Sequence, residues 1–161
     1  MRPVFVGVGS NIDPRTHVPR ALALLETRFG ALRVSRAYRC PSVGFDGDDF
    51  INLVIGFDSD EPVADLQAAL RRIETECGRD RSVKRASRRM DLDLLLVGDT
   101  VLDRDGLTLP RADILEYAFV LRPLAELVPD ARHPVLGSTY AALWAAFDDR
   151  DQPLTPVTIT P

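Results

Sequence analysis

Two kinds of hydrophobic pattern alternate along the chain, and together they predict an alternation of strands and helices. Short runs rich in β-branched residues, bounded by glycine, proline or charged residues, are typical of strands, whereas apolar residues every three or four positions are typical of helices. The predicted strands are 4–9, 32–38, 50–57 and 91–97, with a wide, mobile loop over 40–49, a hairpin over 101–109 and an extended tail over 154–161. The predicted helices are 16–29, 63–77, 117–127 and 139–147.

The order of these elements predicts the fold class. The first six elements run strand, helix, strand, strand, helix, strand, which is the order of a split βαβ arrangement. We therefore expect an α+β fold of ferredoxin-like type, a sandwich whose mainly antiparallel sheet has helices packed against one face. The pattern contains no repeat and no linker, so we expect a single domain over residues 1–161. Such a fold is shared by proteins of many functions and identifies none of them.

Composition narrows the class of protein but adds no chemistry. The 161 residues are 45% hydrophobic and 27% charged, values typical of a globular domain, which exclude collagen-like, disordered and disulfide-scaffold proteins. The 24 acidic and 20 basic residues leave a net charge of -4, so we expect no general affinity for nucleic acid. We expect a monomer or a weak homodimer.

The sequence also predicts where the protein resides. No apolar run approaches the roughly 20 residues that span a bilayer, and no signal-peptide pattern opens the chain, so we expect no membrane association. Cys40 and Cys77 are far apart and match no metal or redox spacing. We interpret them as reduced thiols in a cytoplasmic protein.

The densest charge feature is the segment 71–89, which holds eight basic and three acidic residues. Its basic residues are Arg71, Arg72, Arg79, Arg81, Lys84, Arg85, Arg88 and Arg89. Arginine presents a planar set of donors that matches phosphate oxygens, so such a loop can bind a triphosphate and neutralise its charge during phosphoryl transfer. Charge alone leaves a second interpretation open, in which the segment is a solvated loop.

A pair of carboxylates follows this basic segment directly. Asp91 and Asp93 open the strand 91–97, and residues two apart on a strand point to the same side of the sheet. Magnesium prefers oxygen ligands and bridges protein carboxylates to substrate phosphates, so the order of basic loop and carboxylate pair favours a metal-assisted phosphoryl-transfer site. The alternative is that both aspartates are solvated residues at the start of a strand.

Other common sites are not indicated. The run 7–11 has the glycines of neither a Walker loop nor a dinucleotide fingerprint. Ser10 has no neighbouring base in the sequence to activate it as a nucleophile, and we assign no role to His17 or His133.

Several short motifs, in the same order and at similar spacing, resemble those of the 6-hydroxymethyl-7,8-dihydropterin pyrophosphokinase family of folate biosynthesis. Each motif is weak alone, but together they span nearly the whole chain. They are Gly9-Ser10-Asn11, Tyr38-Arg39-Cys40-Pro41, Phe50-Ile51-Asn52, Glu74 with Gly78-Arg79, Arg88 with Asp91-Leu92-Asp93-Leu94, and Ala118-Phe119-Val120-Leu121 with Pro123-Leu124. The resemblance implies transfer of a pyrophosphoryl group from ATP to the hydroxymethyl group of a reduced pterin, with AMP as the other product and two Mg²⁺ ions as cofactors.

The resemblance also implies roles for individual residues. Asp91 and Asp93 would hold both magnesium ions, and together with Arg79 and Arg88 they would form the catalytic set. The nucleotide-binding residues implied are Glu74, Arg81, Arg88 and Arg111. The pterin-binding residues implied are Val43, Gly44, Phe50, Asn52 and Phe119. Aromatic faces stack on a flat ring and an amide supplies both a donor and an acceptor, so these residue types suit a pterin.

The sequence departs from the family pattern on the nucleotide side. Arg85-Ala86-Ser87-Arg88 stands where the family has an aromatic residue followed by Gly-Pro-Arg. Arg111 and Tyr117 replace a histidine and an arginine that contact the triphosphate in the family. Two alternatives therefore remain beside the pyrophosphokinase, a diverged paralogue acting on a related pterin and a non-catalytic pterin- or nucleotide-binding protein. RNA binding by the segment 71–89 is disfavoured because that segment contains no aromatic residue.

Overall fold

A six-stranded sheet lies at the centre of the protein. The structure is a computed structural model, and it describes residues 1–11, 13–41, 49–77 and 90–159. The described strands are β1 (Arg2–Ser10), β2 (Arg33–Val34), β3 (Ala37–Cys40), β4 (Phe50–Ser59), β5 (Asp91–Val97), β6 (Leu102–Arg104), β7 (Leu107–Leu109) and β8 (Thr155–Val157). The strands of the main sheet are ordered β5-β1-β4-β3-β8, with β2 also paired to β4. Every strand pairing that the structure describes is antiparallel, so the predicted mainly antiparallel sheet is confirmed.

Two long helices cover one face of this sheet. They are α1 (Pro14–Phe29) and α2 (Val63–Glu76), and both lie close to the predicted bounds. Val4, Val6 and Val8 of β1 form a buried core with Leu25 of α1 and Leu66 of α2. Burying apolar side chains in this way contributes roughly 1.5–3 kcal/mol for each residue, so this core stabilises the packing of α1 and α2 on the sheet.

The opposite face of the sheet is covered by three shorter helices. They are α3 (Asp113–Glu116), α4 (Ala118–Leu127) and α5 (Tyr140–Ala146). Phe5, which alternates with the valines of β1, packs with Val54, Leu121 and Tyr140 in a second buried core. The expectation that helices cover one face only is therefore wrong, because the alternating side chains of β1 and β4 are apolar on both faces and each face needs a cover.

Three element boundaries differ from the prediction for local physical reasons. The predicted strand 32–38 is split into β2 and β3, because Ser35 Oγ accepts the Val54 amide at 2.8 Å where a strand carbonyl would otherwise do so. The predicted helix 117–127 begins at Ala118, since Tyr117 is extended, and the additional helix α3 precedes it. The extended tail contains β8, which pairs with β3 and forms the edge of the sheet.

The predicted hairpin over 101–109 is confirmed as β6 and β7. Asp105 and Gly106 connect these strands, with φ of 54° and 76°. Two successive positive φ values are characteristic of a tight hairpin turn, and Asp-Gly is a sequence that readily adopts them. Among the residues that the structure describes, no helix is long and apolar enough to cross a membrane.

Candidate active site

One row of residues crosses four strands of the sheet and brings together side chains from distant parts of the sequence. Tyr38 of β3 lies opposite Asn52 of β4, Asn52 lies opposite Gly9 of β1, and Gly9 lies opposite Asp91 of β5. Directly paired residues project to the same side of a sheet, so the amide and the carboxylate share a face and are separated by one glycine. At about 4.8 Å between neighbouring strands, the backbones that carry them are roughly 10 Å apart.

Gly9 occupies a position with no space for a side chain. A Cβ at this residue would lie 2.8 Å from Asn52 Oδ1 and 3.6 Å from Phe50 Cδ1. The glycine therefore allows the Asn52 and Phe50 side chains to lie over the β1 backbone. Asn52 is only 8% exposed, and its Nδ2 donates a hydrogen bond to Cys40 Sγ at 3.1 Å. The amide is consequently held at a defined place beside β1.

Cys40 is a hydrogen-bond acceptor and packing residue at this site. Burial raises the pKa of the Cys40 thiol to about 11, and the bond from Asn52 only partly offsets that effect. A thiol with this pKa is protonated near neutral pH and is a poor nucleophile. Cys40 and Cys77 are both free and buried.

The acidic end of the row lies on β5. Asp91 and Asp93 are both partly exposed, whereas Leu92 between them is buried, so the two carboxylates lie on the same side of the strand as expected. Arg111 approaches them from the segment after β7, with its Nη2 3.8 Å from Asp93 Oδ1 and its Nε 3.2 Å from Asp113 Oδ2. The Arg111 amide also donates to the Leu95 carbonyl at 3.0 Å, which fixes its backbone against β5.

The electrostatics of Arg111 reflect this position. Burial disfavours its charged form, but the carboxylates of Asp93, Asp113 and Asp91 outweigh that effect and raise the pKa of Arg111. The side chain is 35% exposed, so its guanidinium is accessible to a ligand as well as to Asp93. A cation is thus located beside the carboxylate pair.

The carboxylate pair fits magnesium better than a transition metal. Within the described residues, no three His, Cys, Asp or Glu side chains are grouped as a metal-binding cluster. Zinc sites need three or four such ligands, whereas magnesium typically takes one or two protein carboxylates and completes its shell with water and substrate phosphates. Asp93, whose side chain is 43% exposed, leaves room for such a shell.

Glu74 supports the carboxylate pair from the other layer of the fold. It is a buried acid on α2, only 4% exposed, and its Oε2 accepts the Leu92 amide at 2.8 Å. Leu92 separates the two aspartates, so this hydrogen bond fixes the backbone that carries them. The nucleotide contact expected for Glu74 stays a prediction.

Three aromatic residues, Phe50, Phe119 and Tyr117, lie near the β3 end of the row. Phe50 is paired with Cys40 across β4 and β3, and Cys40 lines a cavity of about 140 Å³ together with Phe119. The ring of Phe119 stacks on Tyr117, with centroids 4.9 Å apart and planes inclined by 19°. Tyr117, which stands where the family has a cation, is therefore a packing partner of Phe119. The cavity is closed by residues 151–154, a contribution that no local sequence signal predicts.

Several predicted site residues lie outside the described part of the chain. These are Val43, Gly44, Arg79, Arg81 and Arg88, together with most of the predicted loop 40–49. Of the remaining predicted residues, the structure brings Asp91, Asp93 and Arg111 together at one place. At the other, Asn52 and Phe50 lie against Gly9, and Phe119 lines a cavity with Cys40.

The sequence of the chain is similar to those of known proteins. Residues 5–129 match the family described as 7,8-dihydro-6-hydroxymethylpterin-pyrophosphokinase (HPPK). The chain is 41% identical over 137 residues to the 2-amino-4-hydroxy-6-hydroxymethyldihydropteridine pyrophosphokinase of Pseudomonas aeruginosa, covering 81% of this chain and 83% of that protein. It is 33% identical over 127 residues to the Bacillus subtilis protein of the same name, with 76% of each covered.

A solved structure shares the fold of the chain. A crystal structure of wild-type Plasmodium falciparum HPPK-DHPS superposes with a TM-score of 0.71 at 12% identity, covering 89% of this chain and 43% of that chain. The chain thus spans less than half the length of that solved protein. The family match and the relatives of the same name define the class of protein as a pterin pyrophosphokinase. The chain belongs to the 7,8-dihydro-6-hydroxymethylpterin-pyrophosphokinase family.

Proposed function

We propose that this protein transfers a pyrophosphoryl group from ATP to the hydroxymethyl group of 6-hydroxymethyl-7,8-dihydropterin, with AMP as the second product, in folate biosynthesis. The observation that carries the proposal is the row across the sheet. In this row only Gly9 separates Asn52, whose amide suits a pterin, from Asp91, whose carboxylate suits magnesium. Family membership over residues 5–129 supports the same reaction.

The reaction needs no covalent intermediate on the protein. The oxygen of the pterin hydroxymethyl group forms a bond to the β-phosphorus of ATP, the bond from that phosphorus to the α-phosphate oxygen breaks, and the hydroxyl proton is lost. The chain would contribute mainly by holding the two substrates in line and balancing charge. Arg111 would contact the phosphates, a role that its position beside Asp93 supports, and the cationic set would be completed by Arg79, Arg81 and Arg88.

Asp91 and Asp93 would hold magnesium, and the proposed number is two ions. Bound magnesium neutralises phosphate oxygens and orients the transferred group. The hydrogen bond from the Leu92 amide to Glu74 keeps the backbone between the two carboxylates in place. The partly exposed positions of both aspartates support this assignment.

Asn52 would hydrogen-bond the pterin heterocycle, and Phe50 and Phe119 would stack against it. The tight placement of Asn52 over Gly9 supports this role, because a preorganised amide loses little freedom when it binds. Val43 and Gly44 would close the pocket. The same proposal includes a single ferredoxin-like domain, which the strand order β5-β1-β4-β3 supports. It also includes a cytoplasmic location and a monomeric or weakly dimeric state.

The experiment is to measure AMP formed by the purified protein from ATP, magnesium and 6-hydroxymethyl-7,8-dihydropterin. Asp93→Asn is expected to remove turnover while leaving the thermal unfolding midpoint near that of the wild type. The matched control is Asp130→Asn, the same change at an exposed aspartate after α4, which is expected to remain fully active.

Other results would contradict the proposal. Full activity in Asp93→Asn would refute the metal assignment. Pterin binding without AMP from the wild type would instead identify a non-catalytic pterin-binding protein. AMP formed only with a different pterin would identify a diverged paralogue.

A further inference from the structure

The C-terminal tail, residues 151–157, is joined to the core at two separate places. The strand β8 lengthens the sheet beside β3, with Ala37 opposite Val157 and Arg39 opposite Thr155. The match to the family model ends at residue 129 and does not include the tail. The contacts of the tail therefore need their own explanation.

The second attachment is a pair of hydrogen bonds from Gln152. Its Oε1 accepts the Ala118 amide at 2.8 Å, and its Nε2 donates to the Glu116 carbonyl at 3.0 Å. Both partners flank Tyr117, so one side chain spans the junction between α3 and α4. Ala118 is the first residue of α4, and its amide is one of the four that a helix leaves without an intrahelical acceptor.

The capping role of Gln152 is needed because the helix does not cap itself. Among the described residues, Tyr117 at the cap position provides no side-chain acceptor, and its backbone is extended. An uncapped first turn frays readily, and Phe119 is on that turn. Gln152 thus fixes the start of α4, the helix that carries the predicted pterin-stacking residue Phe119.

The same tail forms a wall of the cavity beside that ring. The cavity of about 140 Å³ is lined by Cys40, Pro41 and Phe119 on the core side and by Asp151, Gln152, Pro153 and Leu154 on the tail side. The tail therefore connects β3, which pairs with the part of β4 that carries Phe50 and Asn52, to the start of α4, which carries Phe119.

We propose that the tail is an integral wall of the pterin pocket and that Gln152 is a positioning residue, which sets the place of Phe119 by capping α4. The inference rests on the proposed pyrophosphokinase activity. It assigns to the tail an effect on pterin recognition that is separate from nucleotide binding, because the tail contacts that the structure describes are with β3 and with the residues around Tyr117 and Phe119.

The test compares Gln152→Leu, which removes both hydrogen bonds at similar size, with Gln152→Glu, which keeps the acceptor for the Ala118 amide. In steady-state AMP assays, Gln152→Leu is expected to raise the KM for pterin about five- to tenfold, with the KM for ATP and kcat within about twofold of the wild type. Gln152→Glu is expected to recover about half of that effect on a logarithmic scale. Thr158→Val, an exposed change just after β8, is the control.

The outcomes separate this inference from the proposed function. A wild type that forms no AMP would overturn the proposed function itself. An active wild type with an unchanged pterin KM in Gln152→Leu, or with equal rises in both KM values, would overturn the inference alone. If Gln152→Leu does not fold, Gln152→Ala replaces it, and the same shift in pterin KM decides.

Discussion

Replacing Gly9 by alanine adds a single methyl group at the centre of the proposed site. That carbon would lie 2.8 Å from Asn52 Oδ1, about 0.6 Å inside the 3.4 Å at which ordinary contact begins. Asn52 is 8% exposed and bonded to Cys40, so it cannot move aside without breaking that bond or displacing its neighbours. The clash should therefore change both the stability of the sheet and the position of the amide.

The magnitude follows from two opposing effects. Overpacking a tight site costs roughly 1–3 kcal/mol. Replacing glycine by alanine also restricts the unfolded chain, which stabilises a protein by about 0.4–1 kcal/mol where the native conformation allows it. For Gly9→Ala we expect a net loss of about 1–2 kcal/mol, which corresponds to a lowering of Tm by roughly 2–8 °C in a chain of this size. The pterin KM should rise about tenfold through the displaced Asn52.

Gly7 provides a matched comparison on the same strand. The atoms nearest to a Cβ there are the Leu95 methyl groups at 3.7 Å and the Asp93 carbonyl oxygen at 3.9 Å, which are ordinary contact distances. Gly7→Ala should therefore leave Tm unchanged or raise it by a few degrees. The assays are thermal unfolding followed by circular dichroism and AMP formation at varied pterin. Equal Tm values and equal pterin KM values for the two variants would refute the steric argument.

Two further predictions concern charge. Arg111→Gln removes a positive charge that competes with magnesium for Asp93, so it should lower the magnesium concentration that gives half-maximal AMP formation by about threefold. The same change should raise the ATP KM about tenfold. A higher magnesium requirement in this variant would contradict the assignment. Burial lowers the pKa of His133, whose Nδ1 accepts the amides of Val135 and Leu136, so the folded protein favours the neutral ring. The free energy of unfolding in urea should be constant above about pH 6.5 and fall as the pH drops below it, less steeply in His133→Gln, and equal slopes would show that another group is responsible.

The local elements of the fold follow from the sequence because their signals are local. The strands 50–57 and 91–97 and the long helices are given by the spacing of apolar residues, and the structure places them within a few residues of the prediction. The Asp91 and Asp93 side chains share a face because of strand geometry alone. These features need only the identity of neighbouring residues.

The remaining features depend on contacts between distant parts of the chain. Ser35 interrupts a strand by accepting the amide of Val54, 19 residues away. Gln152 caps a helix 34 residues earlier in the chain. The short sequence windows in which periodicity is assessed do not contain both partners of either bond, so periodicity cannot reveal these bonds. The helices on the second face of the sheet were not predicted there for the same reason. They are α3, α4 and α5, which come after β1 and β4 in the chain although they pack against them.

The position of Arg111 shows how the chain can balance charge despite the replacement of a family cation by Tyr117. Tyr117 stacks on Phe119, which is predicted to contact the pterin. Arg111 lies 3.8 Å from Asp93 and is held by Asp113 and the Leu95 carbonyl, which keep its charge next to the carboxylates. A cation in this place can pair with an aspartate in the absence of substrate and with phosphate oxygens in its presence. Such an exchange of partners would keep the partly buried charge of Arg111 compensated in both states, so the absence of a cation at Tyr117 is compatible with the proposed activity.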